Sequence, residues 1–268
     1  MGAHWIREAG IVGWRLDVAD EVSHDFWKAF RRVVKRAKPD AFILGEEWGD
    51  AHPWLKADEH DSVMNYRWRK AVIDFLKGTI TAHKFDLVLR RIRDDYPPAT
   101  LLGMFNLLGS HDTERIKTVL GGDMDKVRQA MVLLLTYPGV PCVYYGDEIG
   151  MEGGKEPLSR GPMLHTDKGV DIELNTLYGT FIGIRHDRPS LRSGDYRTLL
   201  CDAKTGAFGF ARRYKGEETR VYLAGNEPLR LPMHDLTGFS YAETVTREKD
   251  AIVIQPHSFL VFGTAVET

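Results

Sequence analysis

The chain of 268 residues holds only two cysteines, Cys142 and Cys201. That number cannot build a disulfide framework or a four-cysteine zinc site, and it fits a reducing compartment. An excess of one charge is also lacking: 36 Lys and Arg stand against 38 Asp and Glu, a formal net charge of −2. Neither nucleic acid nor an acidic membrane surface is therefore expected as a partner. No stretch approaches the roughly 20 apolar residues that cross a bilayer. The best run, Ala130 to Leu135, is short and stops at Tyr137-Pro138-Gly139. The start, Met-Gly-Ala-His-Trp-Ile-Arg-Glu-Ala, has no apolar core of a secretory signal, so a cytoplasmic protein is expected. Phosphate-cradling glycine loops are missing; Gly121-Gly122 and Gly153-Gly154 read as turns. What remains is 43% hydrophobic and 28% charged, the balance of a folded chain with one large domain, or a medium one plus a small one.

Short apolar runs alternate with amphipathic stretches over the first two thirds. Ile11 to Val18 reads as a buried strand, and Ser23 caps a helix in which Phe26, Trp27, Phe30, Val33, Val34 and Ala37 recur at helical spacing. Ala41 to Gly45, the run at Met64, Leu101 to Leu108 and Val140 to Tyr145 continue the strand series. Helices through Ala71 to Leu76, Phe85 to Ile92, Val127 to Leu135 and Leu177 to Ile184 separate or close it. Strand and helix in such alternation predict parallel βα units over residues 1–190. Near Pro189 the pattern changes. Phe208, Phe210, Val221 and Leu223 alternate around a hairpin at Lys215-Gly216-Glu217, and Ile252, Ile254, Phe259 and Val261 extend a short-strand texture. Residues 191–268 are expected to form a small antiparallel β-sandwich domain.

Three acids sit where apolar strands run out. Asp17 ends Ile-Val-Gly-Trp-Arg-Leu-Asp, Glu46 ends Ala-Phe-Ile-Leu-Gly-Glu, and Asp112 follows Leu-Leu-Gly-Ser-His. In a (β/α) barrel such positions converge on one rim, where three partly desolvated carboxyls repel and separate their pKa values. One ionised carboxylate and one protonated acid are what a glycosidase needs. Taken singly, an Asp at a strand end is more often a helix cap or turn former, and a lone His such as His111 is more often a satisfied core residue. Arg15 argues against the cap reading for Asp17, because residues 15 and 17 share one side of a strand and the arginine can hold the carboxylate ionised.

Four segments, GIVGWRLDVADEV, ILGEEWGDAHPWL, LLGSHDTERI and YPGVPCVYYGDEIGM, resemble in this order those of the α-amylase superfamily, glycoside hydrolase family thirteen. The likeness is to its neopullulanase, cyclomaltodextrinase and maltogenic amylase branch, and the DSVMNY run at 61–66 points the same way. The resemblance implies a TIM barrel and retaining hydrolysis of α-1,4-glucosidic bonds in an α-glucan. It makes Asp17 the nucleophile, Arg15 its positioning partner, Glu46 the general acid/base and Asp112 the transition-state stabiliser. His111 becomes a hydrogen-bond donor to the sugar, and Trp48 is either a stacking face for glucose or a core or rim residue. No organic or redox cofactor is implied; calcium occurs in parts of the superfamily, yet no ligand spacing for it is present here.

The chain also departs from that pattern. Val12 stands where the family carries Asp, and Glu47 where the branch often has an apolar residue. The loop Glu156-Pro-Leu-Ser-Arg-Gly-Pro-Met-Leu-His165 lacks an acid, an arginine and a tryptophan. Asp17 belongs to the family's fourth barrel strand, so about strands 4 to 8 are expected here, a partial (β/α)8 barrel. No Asn-His pair from the third strand occurs. Open apolar edges on such a piece invite pairing with another chain, so an N-terminal half or a second copy is an expected partner and activity alone is expected to be low. The competing reading is a non-catalytic carbohydrate- or protein-binding module of the same fold.

Overall fold

The computed structural model describes residues 1–164, 169–233 and 239–265. His165, at the end of the altered loop, and parts of the 191–268 segment lie outside the described residues. Its first elements are helix α1 (Gly2–Ala9), strand β1 (Gly13–Leu16), helix α2 (His24–Ala37), strand β2 (Phe42–Gly45) and strand β3 (Ser62–Val63). Ser23 caps α2 through the Phe26 N–H, as the spacing predicts. The three strands pair in parallel in the order β1-β2-β3, with Arg15 opposite Leu44 and Gly45 opposite Val63.

Beyond β3 come α3 (Tyr66–Leu76), α4 (Ala82–Asp95), α5 (Pro98–Gly103) and β4 (Phe105–Leu107). The apolar run 101–108 is thus divided. Pro98 at the first helical turn, where its missing N–H costs nothing, starts a helix that absorbs the run's first half. Next are α6 (Ile116–Val119), α7 (Met124–Thr136) and β5 (Val140–Cys142), the last parallel to β4. A parallel bridge between Met64 and Phe105, with the Asn65 N–H on the Phe105 carbonyl at 2.8 Å, joins the two groups. Asn65 also caps α3 through the Trp68 N–H, so the chain leaves the sheet after two strand residues. All five strands run one way, and residues 17, 46 and 112 follow their C-terminal ends.

Helices α8 (Ile172–Asp187) and α9 (Pro189–Ser193) lead into six strands: β6 (Asp195–Cys201), β7 (Phe208–Tyr214), β8 (Glu217–Leu223), β9 (Leu229–Pro232), β10 (Phe239–Arg247) and β11 (Ala251–Ala265). They form one antiparallel sheet, β10-β11-β8-β7-β6, with β9 on β11. Lys215 and Gly216 both take positive φ, 44° and 79°, which suits the tight β7–β8 turn. The run 251–265 is a single curled strand. Its first part pairs with β9 and its second with β8, with a positive φ at His257 between them. One apolar core runs from α3, α4, α7 and α8 onto the sheet through Phe208, Phe210, Val221 and Leu223, the alternating residues of the sequence. Phe75 stacks on Phe85 at 4.5 Å, and Phe208 meets Phe85 edge-on at 5.0 Å. The other sheet face closes over a second cluster around Tyr222, Ile252, Ile254 and Phe262. This is an α/β fold carrying a curled antiparallel sheet.

Candidate active site

The ends of β1 and β2 bring two of the predicted acids, Asp17 and Glu46, to one arginine. Arg15 lies on β1 and binds Asp17 through Nη1 and Glu46 Oε1 through Nη2, the latter at 2.8 Å. Both carboxyl groups therefore share one guanidinium, each taking one of its two terminal nitrogens. Glu46 is fixed a second time: its Oε2 accepts the Val18 N–H at 3.0 Å. Val18 takes the left-handed conformation, φ 44°, to present that amide, an unfavourable state for a β-branched residue. The Asp17 side chain is 71% exposed and that of Glu46 only 5%. Hydrogen bonding and charge from Arg15 hold the Asp17 carboxyl below the usual range, so it stays ionised near neutrality.

Asp112 stands on the loop after β4. Its Oδ2 is 3.0 Å from His111 Nε2, and His111 adds to the positive field at Asp17. The altered 156–165 loop reaches the same place. Arg160 donates to Asp112 Oδ1 at 3.3 Å, to the His111 carbonyl at 3.1 Å, and pairs with Glu156 at 2.9 Å. Trp48 is half exposed and stacks flat on Tyr66, ring centres 3.9 Å apart. Trp48, Tyr66 and Asp112 line a cleft of about 570 Å³ that continues past Lys70, Asp74 and Lys155.

Tyr66 is a member that sequence reasoning missed. Burial pushes its phenol above the usual range, its hydroxyl lies 3.4 Å from Ser110 Oγ, and it feels Glu46, Asp112 and Arg15. The signal was present in Asp-Ser-Val-Met-Asn-Tyr, since the residue after the Asn65 cap opens α3 under the strand ends.

Behind Glu46 lies a second pair that no strand pattern announces. Glu47 and His60 are both buried, Glu47 Oε1 is 3.8 Å from His60 Nδ1, and neither atom has a hydrogen-bond partner among the described residues. The His60 ring presses against Gly45, where an added Cβ would fall 2.5 Å from Nδ1; only glycine fits. Burial, with Asp20, Glu59 and Glu46 nearby, pushes Glu47 up to about 8, and burial pulls His60 down to about 4. Folded Glu47 keeps its proton where the unfolded chain has lost it, so stability falls as pH rises from 4.5 to about 8. His60 acts oppositely below pH 6.5, leaving Glu47 to dominate above. Glu47→Gln is expected to remove about 2 kcal/mol of stability loss between pH 6.5 and 8. Urea midpoints at the two pH values measure this; an unchanged slope would refute the buried protonated state.

Comparison with known proteins was made against this geometry. The alpha amylase catalytic domain model matches residues 1–244. A cyclomaltodextrinase of Bacillus sp. is 42% identical over 236 residues, 88% of this chain and 42% of that protein. Neopullulanase 2 of Thermoactinomyces vulgaris is 46% identical over 222 residues, 82% of this chain and 38% of the relative. The ligand-free cyclic α-maltosyl-(1→6)-maltose hydrolase of Arthrobacter globiformis superposes with a TM-score of 0.88 at 32% identity, covering 98% of this chain and 58% of the other. The chain thus spans about two fifths of the curated relatives it matches. With four ordered motifs, a matching fold and a family match over most of its length, the chain belongs to the alpha-amylase family.

Proposed function

We propose that this chain carries the catalytic carboxylates of a retaining glycosidase acting on α-1,4-glucosidic bonds of maltodextrin-class glucans. Asp17 attacks the anomeric carbon while Glu46 protonates the leaving glycosidic oxygen. A covalent glycosyl-Asp17 ester forms, and Glu46 then takes a proton from water, which displaces Asp17 and regenerates both groups. Asp112, oriented by His111 and Arg160, stabilises the charge developing on the ring, and Trp48 on Tyr66 offers a flat face to a glucose unit. The single guanidinium of Arg15 spanning Asp17 and Glu46 carries this reading. Two carboxyls bound to one guanidinium are near neighbours, which suits the short carboxyl separation of a retaining enzyme. The names of the relatives, cyclomaltodextrinase and neopullulanase, support the substrate class.

The five parallel strands fit strands 4 to 8 of an eightfold barrel, and the turn to antiparallel pairing at Asp195 fits a second, sandwich-like domain from about residue 191. Val12 and Asp17, at the two ends of β1, are 73% exposed and, for the Asp17 side chain, 71% exposed. A substrate held from one side only is turned over slowly, so a further chain segment or a second copy along β1 is the partner this reading requires. The name of an intracellular maltogenic amylase of Bacillus subtilis, 35% identical over 274 residues, supports a cytoplasmic setting. Among the described residues no three His, Cys, Asp or Glu side chains are grouped to hold a calcium ion. The steps above draw on carboxyl groups alone.

Proton NMR of maltoheptaose digestion tests the reaction. The purified chain is expected to release product first as the α-anomer, with turnover below about 1 s⁻¹, under the common enzyme range. Initial β-anomer, or no hydrolysis at any enzyme concentration, would overturn it.

A further inference from the structure

A second cleft, of about 290 Å³, opens between the α3–α4 turn and the antiparallel sheet, and shares no lining residue with the first. Lys77, Lys126, Lys204 and His257 line it, and among the described residues no Asp or Glu does. Two acids stand beside it in the chain, and one of them is paired with a lining lysine. Asp123 caps α7 through the Lys126 N–H and holds Lys126 Nζ at 3.3 Å. Asp202 turns its carboxylate onto the Lys204 N–H at 2.8 Å and the Thr205 hydroxyl at 2.9 Å. The ammonium groups of Lys77 and Lys204 have no ion pair among the described residues.

Gln129 is the second feature. It is 4% exposed, and its Nε2 donates to the Ala224 carbonyl at 2.8 Å and the Ser258 carbonyl at 3.0 Å. Those two acceptors fix the amide orientation, so Oε1 is the atom of this cleft-lining side chain that is left to accept from a ligand. Thr81 and Ala82, also in the lining, begin α4, a fourteen-residue helix whose positive end faces this side and whose Lys84 N–H is capped by the Thr81 hydroxyl at 3.2 Å. Neutral glucan is a poor match, because the one aromatic ring in the lining, Phe75, is buried and already stacked on Phe85.

We propose that this cleft binds a small phosphorylated sugar, with the phosphate on Lys77, Lys126 and Lys204 and a ring hydroxyl on Gln129 Oε1. The volume suits a hexose phosphate, and its two walls belong to the helical layer and the sheet, so the bound ligand ties them together and raises the melting temperature by mass action.

Isothermal titration of the whole chain with glucose 6-phosphate, inorganic phosphate and glucose tests this. Glucose 6-phosphate is expected to bind saturably, more tightly than phosphate and more weakly as salt rises, while glucose does not bind up to about 10 mM. The exposed pair Lys77→Glu and Lys204→Glu, shown folded by circular dichroism, is expected to lower affinity at least about tenfold. Unchanged affinity in that variant would place the ligand elsewhere and overturn the proposal. So would glucose binding as well as its phosphate, inorganic phosphate binding as tightly as the ester, or the absence of saturable binding.

Discussion

Asp17→Asn is expected to lower maltodextrin turnover by at least about a thousandfold, with the unfolding curve unmoved. The loss is large because a carboxylate that forms the covalent intermediate has no substitute in the cycle; an amide is a far weaker nucleophile. The fold is spared because the Asp17 side chain is 71% exposed and its one ion pair, to Arg15, is solvent-screened. Asp17→Ala opens space beside Arg15, where an added azide ion can attack the anomeric carbon from the vacated face. That reaction, run on a substrate with a good leaving group, is expected to restore turnover and give a β-glycosyl azide. Hydrolysis by Asp17→Asn at the wild-type rate would remove Asp17 from the chemistry, and with it the retaining scheme.

Arg115→Ala is expected to destabilise the chain by about 3–5 kcal/mol, read from urea unfolding at pH 8. Arg115 is fully buried directly after the His111-to-Glu114 segment. Its Nη1 donates to the Tyr145 carbonyl at 2.6 Å and to Asp147 Oδ1 at 3.4 Å, and its guanidinium lies 4.7 Å from the ring centres of Tyr144 and Tyr145. Burial raises the Asp147 carboxyl to about 7 even with this arginine beside it. Deleting the cation leaves Asp147 to be buried neutral, strips two rings of their cation and opens a cavity. At pH 5 a protonated Asp147 needs the arginine less, so the loss is expected to be smaller there. Arg115→Met, which refills the space with apolar volume, is expected to cost less than Arg115→Ala. Equal losses for both variants would show that the lost cation, not the cavity, sets the cost.

Much of this architecture was legible in the residue pattern. The run through Arg15-Leu-Asp, the acid after Phe-Ile-Leu-Gly, and His-Asp after Leu-Gly-Ser each followed a strand, and Asp17 and Glu46 meet at Arg15 while Asp112 pairs with His111 and Arg160. The alternation of Phe208 and Phe210 with Val221 and Leu223 gave the inward face of the sheet, because period two is fixed by backbone pleat alone. Lengths were less legible. Strand β1 is four residues, because Val18 turns left-handed to reach Glu46, and the 251–265 run is one long curled strand where the sequence pattern reads as a short-strand texture. Both outcomes depend on partners far along the chain, which no local propensity encodes.

The sequence by itself determined the family, the strand-to-helix rhythm and the three acids that follow strands, since motifs and hydrophobic periods are local properties of the chain. Only the tertiary structure decided that Arg160 of the altered loop reaches Asp112, that Tyr66 sits under Trp48, and that Glu47 and His60 are enclosed together behind Glu46. It alone also grouped Lys77, Lys126 and Lys204 beside Gln129. The first three of these pairs join residues 48, 18 and 13 positions apart. Charge and desolvation act through space, so their effects appear only once the packing of helices on sheets has fixed which groups lose water together.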